Sequence, residues 1–137
     1  MFKRLLMIFL ASLMIVGVWT FNSRSVFYGY SDKLTIYFDD SSSGEMLTIN
    51  SNNFSLFSGV KGESIVVDKN TFNLHNFIKD FDCKVLFIEE CEEGQSIYGY
   101  SDKIRYKKVL HGEVVNLHIF IGEKNLSLGS PIIFGSF

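Results

Sequence analysis

Hydrophobic and polar residues alternate along much of this chain, and the rhythm changes twice. In GEVVNLHIFIG, Gly112 to Gly122, the residues Val115, Leu117, Ile119 and Ile121 fall on one side of an extended chain, with Asn116 and His118 on the other. A period of two marks a half-buried strand. Glu123, Lys124 and Asn125 predict a short hairpin turn into NLSLGSPIIFGSF, where Leu126 and Leu128 share a face and Pro131 predicts an edge or a bulge. CKVLFIEEC, Cys83 to Cys91, holds no Gly, Pro or Asn and is rich in Val, Ile and Phe, so it also reads as a strand. Ile65 to Val67 predicts a shorter one.

The first change of rhythm comes in DKNTFNLHNFIKDFD, Asp68 to Asp82. Leu74, Phe77, Ile78 and Phe81 stand at helical spacing, which predicts one amphipathic helix over about 70–82 with Asp68, Asn70 or Thr71 as its cap. The second is at the amino terminus, where Lys3 and Arg4 precede an uncharged run from Leu5 to Phe21. A basic start followed by an apolar run directs a chain to the export machinery. These seventeen residues are at the short end of the roughly 17–25 that span a bilayer. Val18, Trp19, Thr20 and Phe21 offer no small-residue cleavage pattern, Trp19 and Phe21 suit the outer interface, and Lys3 with Arg4 fit the positive-inside rule. An uncleaved anchor with the domain outside is therefore favoured over a cleaved signal peptide, and 1–24 is assigned to this segment. A buried helix is disfavoured because the run has no polar face.

YGYSDK occurs twice, at Tyr28–Lys33 and Tyr98–Lys103. Downstream, GEMLTIN from Gly44 aligns with GEVVNLH from Gly112, and NNFSLFSGV from Asn52 with KNLSLGSPI from Lys124; the three separations are 70, 68 and 72 residues. Loop lengths alone would differ between two copies of a three-strand unit. The expectation is an α+β domain over 25–137: a strand triplet in 26–58, the helix, then strands in 83–137 that repeat the triplet on one antiparallel sheet. Tyr28, Tyr30, Tyr98 and Tyr100 should then hold equivalent places.

Charge narrows the partners. Thirteen basic residues less Lys3 and Arg4 leave eleven against fifteen acidic ones, a balance of -4 for the rest of the chain. Such a domain lacks the attraction to phosphates that supplies most non-specific nucleic-acid affinity, so no nucleic-acid partner is expected.

Candidate chemistry is sparse. Cys83 and Cys91 would lie about 26 Å apart on an extended strand, whereas a disulfide needs α-carbons within about 7 Å. Neither has a second Cys or a His at ligand spacing, and Glu89, Glu90, Glu92 and Glu93 around Cys91 read as a solvated hairpin end before Gly94 rather than a calcium loop. Asp32 and Asp102 recur in the repeat, but their Ser and Lys neighbours predict an Asx-turn with local charge balance rather than a pair of catalytic carboxylates. His75, His111 and His118 accompany no hydrolase, zinc or phosphate-loop motif. No catalytic, cofactor-binding or metal-ligating residue is assigned, and no cofactor is expected.

The final forty residues, with the YGYS strand, the VNLHI strand and the closing GSPII, resemble the carboxyl-terminal part of the YwmB-like family of exported proteins from spore-forming Gram-positive bacteria. The resemblance covers the chain from the helix onward. It implies a curved antiparallel sheet with helices on one side, similar to TATA-box-binding proteins, and it implies no activity and no catalytic residues. The reading favoured is a non-enzymatic interaction module of the cell envelope, with a membrane contact through the N-terminal segment and an envelope protein as partner. The alternatives are a small exported enzyme using His118 and a purely structural envelope component whose edge strand near Ser130 to Phe134 extends a partner's sheet.

Overall fold

A computed structural model describes residues 1–22, 24–39, 46–50 and 59–134, with side chains of the first stretch described to Gly17. Among these residues the fold is α+β, with two helices and a seven-stranded antiparallel sheet. Helix α1 (Phe2–Asn22) precedes β1 (Lys33–Tyr37), β2 (Met46–Asn50) and β3 (Gly62–Asp68); helix α2 (Leu74–Asp80) follows. Then come β4 (Lys84–Cys91), β5 (Gly94–Tyr100), β6 (Lys108–Leu110), β7 (Glu113–Val115), β8 (Leu117–Ile121) and β9 (Asn125–Ser130). The sheet order is β2-β1-β3-β9-β8-β5-β4, and β6 and β7 form a separate hairpin.

Alternation decides which face is buried. Ile97 pairs with Ile119, Ile119 with Leu128 and Leu128 with Ile65, so one apolar row crosses four strands. Phe27, Phe77 of α2 and Ile104 belong to the same core. Phe77 is buried, and Leu74, Ile78 and Phe81 pack against that core. Its ring meets Phe27 at 6.2 Å, Tyr30 at 5.0 Å and Phe81 at 4.8 Å between centroids. Neighbouring positions point to the other face, where Phe87, Tyr98 and His118 form a stack. His111 of the β6–β7 turn and Ile133 close over that stack.

Several sequence expectations change. The first YGY is not a strand: residues 26–30 are turns, and β1 begins at Lys33, whereas Tyr98 and Tyr100 lie in β5. The two hexamers therefore do not hold equivalent places in the sheet. Gly29 adopts φ +84°, which favours glycine, with open space around it. Gly99 sits in a strand where an added Cβ would come within 2.5 Å of Cys83 Sγ and 3.1 Å of the Lys84 carbonyl. What the copies share is the turn after them: the Ser31 hydroxyl accepts from the Lys33 N–H at 3.2 Å, and Ser101 from the Lys103 N–H at 3.1 Å. Serine, not aspartate, makes the turn, and Asp32 and Asp102 are both exposed. The remainder of the proposed first triplet, 40–45 and 51–58, lies outside the described residues.

Helix α2 starts later than predicted. Its cap is Asn73, whose side chain accepts from the Asn76 N–H at 2.9 Å, while Asp68 holds a preceding turn by accepting from Asn70 and Thr71. The run from Gly112 to Gly122 is broken into β7 and β8 at buried Asn116, which holds Ser101 and Ile104 by their backbones. Strand β9 is central, between β3 and β8, so Pro131 follows a buried strand and the segment near Ser130 to Phe134 is no sheet edge. The β4 strand and the β8–β9 hairpin fall where the pattern placed them.

Among the residues with described side chains, no helix is long and apolar enough to cross a membrane. All described side chains of α1 are exposed, including Phe2, Ile8, Phe9 and Leu13.

Candidate functional site

His118 is 3 % exposed, and both ring nitrogens have partners. Its Nδ1 accepts from the Ile133 N–H at 3.2 Å, which places the ring proton on Nε2, 3.1 Å from Ser96 Oγ. Burial lowers its pKa to about 4, so the ring is neutral near pH 7. Tyr98 stacks on it at 4.4 Å. This is a packed, hydrogen-bonded histidine. His75 is exposed on α2, and His111 pairs with Glu89 at 3.2 Å. Cys83 and Cys91 are free at opposite ends of β4, and burial raises the Cys83 thiol pKa. Among the described residues no cluster of three or more His, Cys, Asp or Glu is placed to hold a metal ion.

The most concentrated polar chemistry surrounds Glu63, a wholly buried residue on the core side of β3. Its Oε2 accepts from Ser25 Oγ at 2.8 Å and the Val26 N–H at 2.7 Å. Its Oε1 accepts from Arg105 Nη2 at 3.0 Å and the Tyr106 hydroxyl at 2.9 Å. Arg105 Nη1 also donates to the Arg24 carbonyl at 2.6 Å. A buried carboxylate survives in the fold when it is both paired and hydrogen-bonded, and four donors meet that condition. Burial and the neighbouring carboxylate raise the Tyr106 pKa, which keeps the hydroxyl a donor. The cluster fastens the segment leaving α1 to the sheet. Sequence pattern missed it because the donors stand 37 to 43 positions from Glu63.

A second feature is open to solvent. Strand β4 ends the sheet and pairs, among the described residues, with β5 alone. Its register slips between Val85 and Phe87, leaving Leu86 as the extra residue of a bulge. Leu86 lines an open groove of about 470 Å³ with Lys84, Tyr100, Lys107, Glu113 and Val114. Lys107 Nζ lies 5.6 Å from the Tyr100 ring centroid. Val85 and Ile88 of the same strand are exposed. The groove thus joins apolar contact area, two ammonium groups with one carboxylate, and a strand edge that is unpaired among the described residues. The bulge that shapes it left no mark in the sequence beyond an unbroken apolar run.

Comparison with known protein families, with curated proteins and with solved structures finds no match for this chain.

Proposed function

We propose that the chain is a membrane-anchored extracytoplasmic domain that acts by binding an extended segment of another envelope protein along β4. The observation that carries this reading is the outer edge of β4, unpaired among the described residues, beside the groove of Lys84, Leu86, Tyr100 and Lys107. An edge strand offers a row of backbone donors and acceptors to an incoming strand. The two lysines select a segment that carries carboxylates, and Leu86 with Tyr100 supplies apolar contact.

The anchor reading draws on α1. At about 1.5 Å per residue its 21 residues extend about 31 Å, near the thickness of a hydrocarbon core. Its exposed apolar side chains need apolar cover, which a bilayer supplies. The resemblance to YwmB-like exported proteins favours the same compartment. His118 contributes packing, since its ring nitrogens are already engaged.

Photo-crosslinking groups at Val85 and Ile88 of the full chain in its native membrane should give discrete adducts with a partner protein. Lys84→Glu with Lys107→Glu should reduce their yield several-fold, and a group at exposed Val66 should give none. Equal labelling at Val66 and Ile88, or no adduct from β4, would reject the proposal.

A further inference from the structure

Strand register brings together, at one end of the sheet, residues that are far apart in sequence. Tyr37 pairs with Gly62, Glu63 with Ser130, Gly99 with Leu117 and Lys84 with Tyr100, so these pairs share an end. Across this end runs Arg105-Tyr106-Lys107-Lys108, the link from β5 towards β6. Arg105 and Tyr106 bind Glu63 on the core side, Lys107 lies over Tyr100, and Lys108 Nζ is 5.1 Å from the Phe134 ring. Lys61, exposed, precedes β3 at the same end.

This is also the end where α1 joins the domain. Arg24 follows the last residue of α1, Asn22, by two positions, and two trans peptide links reach at most about 7.6 Å between α-carbons. The Arg105 guanidinium holds the Arg24 carbonyl directly. Covalent geometry and one hydrogen bond thus keep the basic link beside the mouth of α1. Arg24 lies over the ring of Tyr28, itself half exposed, which adds an amphipathic aromatic of the kind enriched at bilayer interfaces.

The balance of charge differs between the two ends. Arg24, Lys61, Arg105, Lys107 and Lys108 gather at the α1 end, where Glu63 is buried and matched to Arg105. The exposed carboxylates on the neighbouring elements are Asp39 after β1, Glu113 in the groove, and Asp80, Asp82 and Asp102 beside the α2 terminus, with Asp82 paired to Lys103 at 2.6 Å. At the far end stand Glu90, Glu92 and Glu93 of the β4–β5 hairpin, Glu123 of the β8–β9 turn and Asp68, against Lys69 and Lys124. A chain that is acidic overall therefore gathers a group of its cations where its apolar helix ends and the domain starts.

We infer that this end is a docking surface for the anionic headgroups of a phospholipid bilayer, with Arg24, Lys61, Lys107 and Lys108 facing the phosphates while Arg105 holds the link to Glu63. The inference rests on the anchor reading above. Cations held within a Debye length of an anionic surface add attraction that salt removes. The acidic hairpin is repelled by the same surface. Docking therefore sets the orientation of the domain, standing it on its basic end.

The test uses the full chain in nanodiscs of pure phosphatidylcholine or of equal parts phosphatidylcholine and phosphatidylglycerol, read by amide hydrogen exchange. Amides of 24–28 and 104–108 should exchange several-fold more slowly in the anionic discs at low salt, and the difference should vanish at high salt. Rates in β8 and β9 should not change. Lys61→Glu with Lys108→Glu should remove the local protection. Equal exchange in the two lipids, by chain that stays in the discs, overturns the docking surface and leaves the anchor standing. Protection by inorganic phosphate in neutral discs overturns the assignment to lipid. Chain that is stripped from the bilayer by an alkaline wash overturns the anchor reading and this inference with it.

Discussion

Glu63 shows how one side chain can organise a region that its sequence neighbours do not announce. In GESIVVD it stands on the same side of the strand as Ile65, on a face that is otherwise apolar. Charge at that place is tolerated only because Ser25, Val26, Arg105 and Tyr106 all donate to it. Glu63→Ala would leave these donors without their acceptor, and since Arg105 is 38 % exposed and can rehydrate, a loss of about 3 kcal/mol is expected in denaturant titration. Exchange protection of 24–28 should fall in the same variant. His118 makes the complementary case of a titratable group kept neutral. Its folded pKa of about 4 lies below the ordinary value of 6.5, so the unfolded chain binds more protons between these values. The stabilisation is complete above about pH 6.5 and is lost as pH falls towards 4, on the order of 3 kcal/mol in all. Unfolding midpoints measured across that window should drop steeply for the unaltered chain and less steeply for His118→Gln.

At the level of elements, glycine and serine account for the paired hexamers better than a duplicated strand does. Gly29 is needed for its backbone angle and Gly99 for the room taken by Cys83. Gly99→Ala should cost about 1–3 kcal/mol by overpacking. Cys83→Ala should restore part of that loss while leaving a Gly29→Ala defect untouched, as a double-mutant cycle in denaturant would show. Much of the element pattern was legible. Composition rich in Val, Ile and Phe located β4, period-two alternation located β8 and β9, and helical spacing located the buried side of α2. What misled was identity of letters: YGY serves as a turn in one place and a strand in the other, because neighbours far along the chain decide which face must be covered. The break at Asn116 is of the same kind, since its partners Ser101 and Ile104 lie beyond any local window. The β4 groove was illegible for a related reason, being shaped by a bulge and by a hairpin from another part of the chain.

For the molecule as a whole, the order β2-β1-β3-β9-β8-β5-β4 has one connection on which everything else depends. Strands β1 to β3 lie on one side of β9, and β8, β5 and β4 on the other. Pulse-labelling during refolding should show the β1–β2, β4–β5 and β8–β9 hairpins acquiring protection before the β3–β9 ladder, because local pairings close at smaller entropic cost. Simultaneous protection of all four ladders would contradict this sequence of events. The position of β9 also bears on how such a chain could be delivered across a membrane. Threaded amino end first, it would present two half-sheets with raw facing edges, and neither could be finished until β9, which follows the other described strands in the chain, had emerged. A chain exported in that way would keep the two half-sheets apart until β9 joins them, a timing imposed by strand order alone.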